Sequence, residues 1–292
     1  MKKTKKAIIL VIIVFILLNS LEILLDKLPD LNNKLLTIVI LQTLCIFLPA
    51  LIYNRFFTDR KKTFPSAKKK GAGKGIFTIL TSISLSTILV FINYGLPLLI
   101  DKTKAVDTAS KTGGYDFSVF FFISLLPAVF EEYMFRRVLL NEFKYEMPMN
   151  TGVLLSSFCF AITHGSLANF LSPFLAGIVF AYIYILTGAI GYSILAHIIS
   201  NCYLSFFSSL ITYSVYSGGT ALLFLLNGVI FFMCLYLTLS RAQNVLTIDV
   251  FTKNLIRFKE NNESEMPLLR LIIKSPFIVL ILLYVIRIII KK

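Results

Sequence analysis

The chain has two histidines, His164 and His197, and each stands in an apolar stretch of membrane-spanning length. A third such stretch carries the adjacent carboxylates Glu131 and Glu132, with Arg136 four residues past the second. Ionisable groups are costly in hydrocarbon, so they are rare there and usually face a bundle interior or a water-filled cavity. Three separate segments bearing such groups point to one shared site. The residue types suit acid–base chemistry, with a carboxylate to take a proton and imidazoles to shuttle or donate one.

The spacings sharpen this. Residues four apart share a helix face, and Glu before Arg is the favourable order, so Glu132 and Arg136 can pair. Glu131 then points about 100° away around the helix. Two adjacent carboxylates in apolar surroundings do not both stay ionised cheaply, so one is expected to be paired and the other to stand ready to accept a proton. The plainer alternative is a helix end at the lipid interface, with Arg136 and Arg137 reaching out to headgroups. Arg137 is expected to do only that. Phe160 lies one turn before His164, where its ring could wall the imidazole off from water; alternatively His164 is structural, bonded to a neighbouring carbonyl. His197 and Asn201 are also four apart. Two N–H donors converging there could hold a developing oxyanion, or Asn201 could simply make a contact between helices.

The elements that must position these groups are membrane helices. Of 292 residues 57% are hydrophobic and 15% charged, with a mean hydropathy of +0.82. A soluble domain is nearer a quarter charged. With ~20 apolar residues needed per crossing, spans are expected at 7–25, 35–54, 76–100, 117–137, 151–168, 169–189, 191–213, 220–240 and 271–290. The expectation is an all-α, polytopic protein of eight or nine spans, forming a single membrane domain over 1–292. The net charge of +14 gathers between apolar segments rather than in a nucleic-acid-binding motif. The basic stretches are the N-terminus, 55–75, the segment with Arg136, Arg137 and Lys144, and 241–269. Alternating spans put them on one side, so they and the N-terminus are expected in the cytoplasm, while loops 26–34, 101–114 and 214–219 face away. A ninth span would leave Lys291 and Lys292 outside, so either the last segment, with Arg270, Lys274 and Arg287, is re-entrant or interfacial, or the count is off by one. The run after Lys2–Lys6 has no small-residue cleavage site, and Glu22 interrupts it, which favours a first span over a removed signal. Cys45, Cys159, Cys202 and Cys234 lie in apolar segments without CxxC spacing, and neither a disulfide framework nor a zinc knuckle is expected.

Other machineries lack their signatures. There is no His-Glu-x-x-His, no Gly-x-Ser-Gly and no phosphate-binding glycine loop. Tyr115-Asp116 is not followed by the Gly-x-Gly-Asp of an aspartyl pair. Without internal repeats, a proton-coupled transporter is disfavoured.

The order Glu-Glu-x-x-x-Arg, Phe-x-x-x-His, His-x-x-x-Asn on three helices resembles the CPBP family, which takes in type II CAAX prenyl endopeptidases and bacterial bacteriocin-processing or self-immunity (Abi) proteins. The resemblance runs from about Pro127 to Asn201. It implies a catalytic core within 117–213, flanked by N-terminal helices and a basic loop over 1–116 and by C-terminal helices over 214–292. It also implies peptide-bond hydrolysis inside the membrane, on a small membrane peptide or lipid-anchored protein; the abundance of Lys, Ile and Asn points to a bacterial plasma membrane, and the placing of the basic residues to membrane lipids and no nucleic-acid partner. Glu131 would be the base, His164 its helper, and His197 with Asn201 the oxyanion donors. Glu132 and Arg136 would hold the carboxylates in register, or Arg136 would meet a substrate carboxylate; Phe160 supports. The family is often called a metalloprotease. Glu131, His164 and His197 could ligate zinc with one open position, but the metal-free route is preferred. A non-catalytic member acting by binding, in immunity or regulation, is the alternative. One geometric demand follows. Glu131 lies ~9 Å along the helix from Arg137, and His164 ~21 Å from Asn150. They share a depth only if the fifth helix starts in the cytoplasm or the fourth is tilted, and Pro127 could supply a kink.

Overall fold

In hydrocarbon every backbone N–H and C=O must be satisfied within its own segment, and apolar runs without water can do this only as helices or closed barrels. The computed structural model describes residues 2–26, 34–58, 72–100, 117–144, 146–165, 167, 169–245 and 276–290, and the regular elements among them are all helical. We number them in chain order. α1 is Lys2–Asp26. α2 joins Lys34–Ile40, a π-helical turn Leu41–Phe47 and Leu48–Phe56, and α3 joins Ala72–Val90, a π-turn Phe91–Gly95 and Leu96–Ile100. α4 joins Phe117–Glu132, a π-helical stretch Tyr133–Leu140 and Asn141–Phe143. There follow α5 (Met149–Thr163), α6 (Leu171–Thr187), α7 (Ile190–Ser217), α8 (Thr220–Val245) and α9 (Phe277–Ile290).

Among the described residues, five stretches are long and apolar enough to cross a membrane: Lys3–Leu25, Leu36–Phe56, Gly73–Leu99, Ile190–Val215 and Thr220–Arg241. α5, α6 and α9 are apolar but shorter. The expected segments thus appear as helices, while a count of eight or nine crossings goes beyond these five. Loop 101–114, and most of 26–34, 55–75 and 241–269, lie outside the described residues, as do Tyr115, Asp116, Arg270 and Lys274.

The chain divides into two compact units. The first takes 1–67, 129–190 and 248–292. Its core joins Ile8, Val11 and Phe15 of α1, Ile46 and Ala50 of α2, Met134, Phe135 and Leu139 of α4, Leu155 and Phe160 of α5, and Leu280 of α9. Lipid tails are as apolar as these side chains, so association depends on close packing and internal polar contacts. At the α5–α6 crossing a Cβ on Gly177 would fall 3.0 Å from the Cα of Ser157, so only glycine fits there without displacement. The first turn of α1 is closed by a carboxylate. The backbone N–H groups of Lys3 and Thr4 each donate to Glu146, both at 3.0 Å, satisfying two donors that a helix start leaves open.

The second unit takes 68–128 and 191–247. Buried hydroxyls of α3 turn back on their own helix, Ser82 onto the Thr78 carbonyl and Ser86 onto that of Ser82. The helices are cross-tied by Ser86 to Ser200 (3.2 Å), by the Asn227 amide to the Thr87 carbonyl (3.1 Å) and by the Tyr203 hydroxyl to Asn227 (2.9 Å).

Candidate active site

α4 does not stop at Arg137 as expected; its helical run continues to Phe143, and α5 begins at Met149. The turn between them is therefore further along the chain, and the two arms leading from it to Glu131 and to His164 are of similar length. Arms of similar length bring the two residues to the same level of the bundle. Glu131 Oε2 and His164 Nε2 stand 4.0 Å apart. Pro127 lies inside α4, and the π-helical stretch begins just after Glu132. π-bulges recur at functional sites because the extra residue per turn re-aims side chains.

His164 is not mid-helix. It is the residue that ends α5, and Gly165 follows at φ +73°, a left-handed conformation that glycine adopts without a Cβ clash. The His164 Nδ1 lies 2.9 Å from the Phe160 carbonyl, which can only accept, so Nδ1 carries a proton, and in the neutral ring Nε2 presents a lone pair towards Glu131. The structural bond to a carbonyl and the catalytic posture thus coexist in one ring. Phe160 is buried and meets the imidazole edge-on at 4.7 Å, as a wall. Glu131 is 6% exposed, whereas the His164 side chain is 36% exposed, so the pair sits at the edge of the interior.

Glu132 and Arg136 pair at 2.8 Å and both are fully buried. The Arg136 Nη2 also donates to the Gly177 carbonyl at 2.9 Å, and the guanidinium stands 4.9 Å from the Phe160 ring and 5.6 Å from that of Phe180. Arg136 therefore ties α4 to α5 and α6. Arg137, expected to reach for headgroups, is half-buried, and its carbonyl accepts from the Asn141 side-chain amide.

One residue was not foreseen. Gln42, on the π-turn of α2, donates from Nε2 to Glu131 Oε1 at 2.8 Å. The contact is backed by Phe47 stacked on Phe130 at 4.4 Å and by Asn54 donating to the Tyr133 hydroxyl at 2.7 Å. Glu131 thus has one oxygen fixed by Gln42 and the other turned to His164.

His197 and Asn201 lie on α7 in the second unit, one turn apart as the sequence indicates. His197 is 5% exposed, and the half-buried Asn201 donates weakly to the Ser124 carbonyl at 3.5 Å. That is the kind of contact between helices considered as the alternative role for Asn201. For a metal, the first unit brings two donors together, Glu131 and His164. Among the described residues of that unit no third His, Cys, Asp or Glu joins them, whereas a catalytic zinc takes three protein ligands. The four cysteines are free thiols.

Residues 114–203 match the family model described as Rce1-like, type II CAAX prenyl endopeptidase. The matched segment contains all three motifs and agrees with the CPBP resemblance. No curated protein and no solved structure matches the chain. With several apolar helices of spanning length beside that family assignment, the chain is a multi-pass membrane protein.

Proposed function

We propose, on the premise that residues 114–203 form an Rce1-like domain of the CPBP family, that the chain is an intramembrane endopeptidase. One observation carries this: a buried Glu131 carboxylate opposite a histidine whose tautomer is set by the Phe160 carbonyl. At 4.0 Å the two atoms are too far apart to bond directly, and their spacing suits a water that donates one proton to each. Its lone pairs then face a substrate carbonyl. Glu131 takes a proton as the water attacks and delivers it to the leaving amine, while His164 holds the water's second proton in place.

His197 and Asn201 are assigned to the oxyanion, an assignment that rests on the family motif and on their shared helix face. Glu132 and Arg136 act as the strut that keeps α4 in register. A guanidinium already engaged by Glu132 and the Gly177 carbonyl argues for that role over binding a substrate carboxylate. The substrate class is a small membrane peptide or a lipid-anchored protein in a bacterial plasma membrane.

Glu131→Ala and His164→Ala are each expected to abolish cleavage while leaving membrane insertion intact. Near-normal cleavage by either variant contradicts the mechanism, and a cellular phenotype indifferent to Glu131→Ala favours a binding role. The lysines of the N-terminus favour a cytoplasmic side for it. Labelling of Lys5→Cys by an impermeant maleimide should therefore need opened cells; labelling of intact cells would reverse the orientation.

A further inference from the structure

The turn that follows the histidine helix is braced from outside the segment that the family model matches. A Cβ placed on Gly165 would fall 1.6 Å from Nη1 of Arg287 and 2.0 Å from its Cζ, so the guanidinium of α9 lies directly against that glycine. With φ at +73° and this contact, any other residue would be strained and would have to displace the guanidinium. Arg287 is itself fixed. Its Nη2 stands 3.1 Å from Glu22 Oε2 of α1, and its Cζ lies 5.8 Å from the Phe15 ring centre. The Arg287 side chain is 14% exposed. Charged residues within apolar helices are expensive, and the mechanism above uses neither of these two.

We infer that Glu22 and Arg287 form a clamp on the Gly165 turn that fixes the His164 ring relative to Glu131. Both are positioning residues, and the inference rests on the reading of His164 as the group that orients the attacking water. His164 is held on its N-terminal side by α5 and by its bond to the Phe160 carbonyl. On its C-terminal side the chain leaves the helix at Gly165, and there the guanidinium takes over. A displacement of about 1 Å at such a ring costs up to ~100-fold in rate. The terminal helices α1 and α9 would thus belong to the working site, although they lie outside 114–203.

The test uses the full chain in detergent with isotope-labelled histidine. Two histidines give two sets of ring-nitrogen resonances, assigned with His197→Gln. Arg287→Gln should move and broaden the His164 resonances and leave those of His197 in place. It should also lower kcat by ~10- to 100-fold with KM little changed. Arg287→Lys, which keeps the pair with Glu22, should recover much of both. Should Arg287→Gln fail to insert, Glu22→Gln, whose side chain is more exposed, carries the same comparison. Unmoved His164 resonances, or both histidines moved alike, overturn the clamp. If the wild-type protein cleaves no peptide, the hydrolase reading fails, while the resonances still decide the clamp.

Discussion

Glu131 owes its posture to two partners of unlike legibility. Its place opposite His164 follows from motif spacing: Phe160 and His164 share a face, and Glu132 with Arg136 turns Glu131 elsewhere. The donor from Gln42 was not legible, because the two residues are 89 positions apart and a lone glutamine in an apolar run has no periodic signature. A hydrogen bond to a charged group contributes ~1.5–3 kcal/mol. Gln42→Leu should therefore lower kcat by about 10- to 100-fold with KM nearly unchanged. Steady-state kinetics on a single fluorogenic peptide checks this, and an unchanged kcat would remove Gln42 from the account. The tautomer of His164 was equally hidden, since it depends on where α5 ends rather than on which residues it contains.

At the scale of elements, hydropathy located the helices but not their ends. The fourth span was expected to finish at Arg137, because arginines in apolar sequence resemble an interface. Here the burial of Arg136 against Glu132, Gly177 and two rings lets the helix run on. The π-helical stretch at Tyr133–Leu140 was likewise invisible, as a 3.6-residue period says nothing about a local extra residue. The α5–α6 crossing gives the clearest prediction. Gly177→Leu must push the Ser157 backbone away from α6 and disturb residue 177's own carbonyl, which receives Arg136. Overpacking of this kind costs ~1–3 kcal/mol. Thermal unfolding in detergent should show a lower Tm together with lost activity, whereas an unchanged Tm would mean that the crossing is looser than described.

For the whole molecule, composition and the length of the apolar runs indicated an all-helical membrane protein, while the link between its N-terminus and the α4–α5 turn was hidden by sequence distance. Glu146 makes that link. Burial pushes its carboxyl up, but the hydrogen bonds it receives at the start of α1, those of the Thr4 and Lys3 backbone among them, together outweigh this and hold it below the ordinary 4.5. Its contribution to stability is therefore full above that value and is lost as pH falls through the lower folded-state value. The Tm difference between wild type and Glu146→Gln should be constant near neutrality and shrink only below about pH 4.5. A difference that vanishes already at pH ~6 would show that the carboxylate does not carry it. The central claim is Glu131-dependent hydrolysis. The most direct test is cleavage of a quenched peptide library by the purified protein in heavy-oxygen water, with and without a strong chelator, beside Glu131→Gln. The account predicts heavy oxygen in the new carboxyl terminus, insensitivity to chelation and no cleavage by the variant. Cleavage that persists in Glu131→Gln would contradict it.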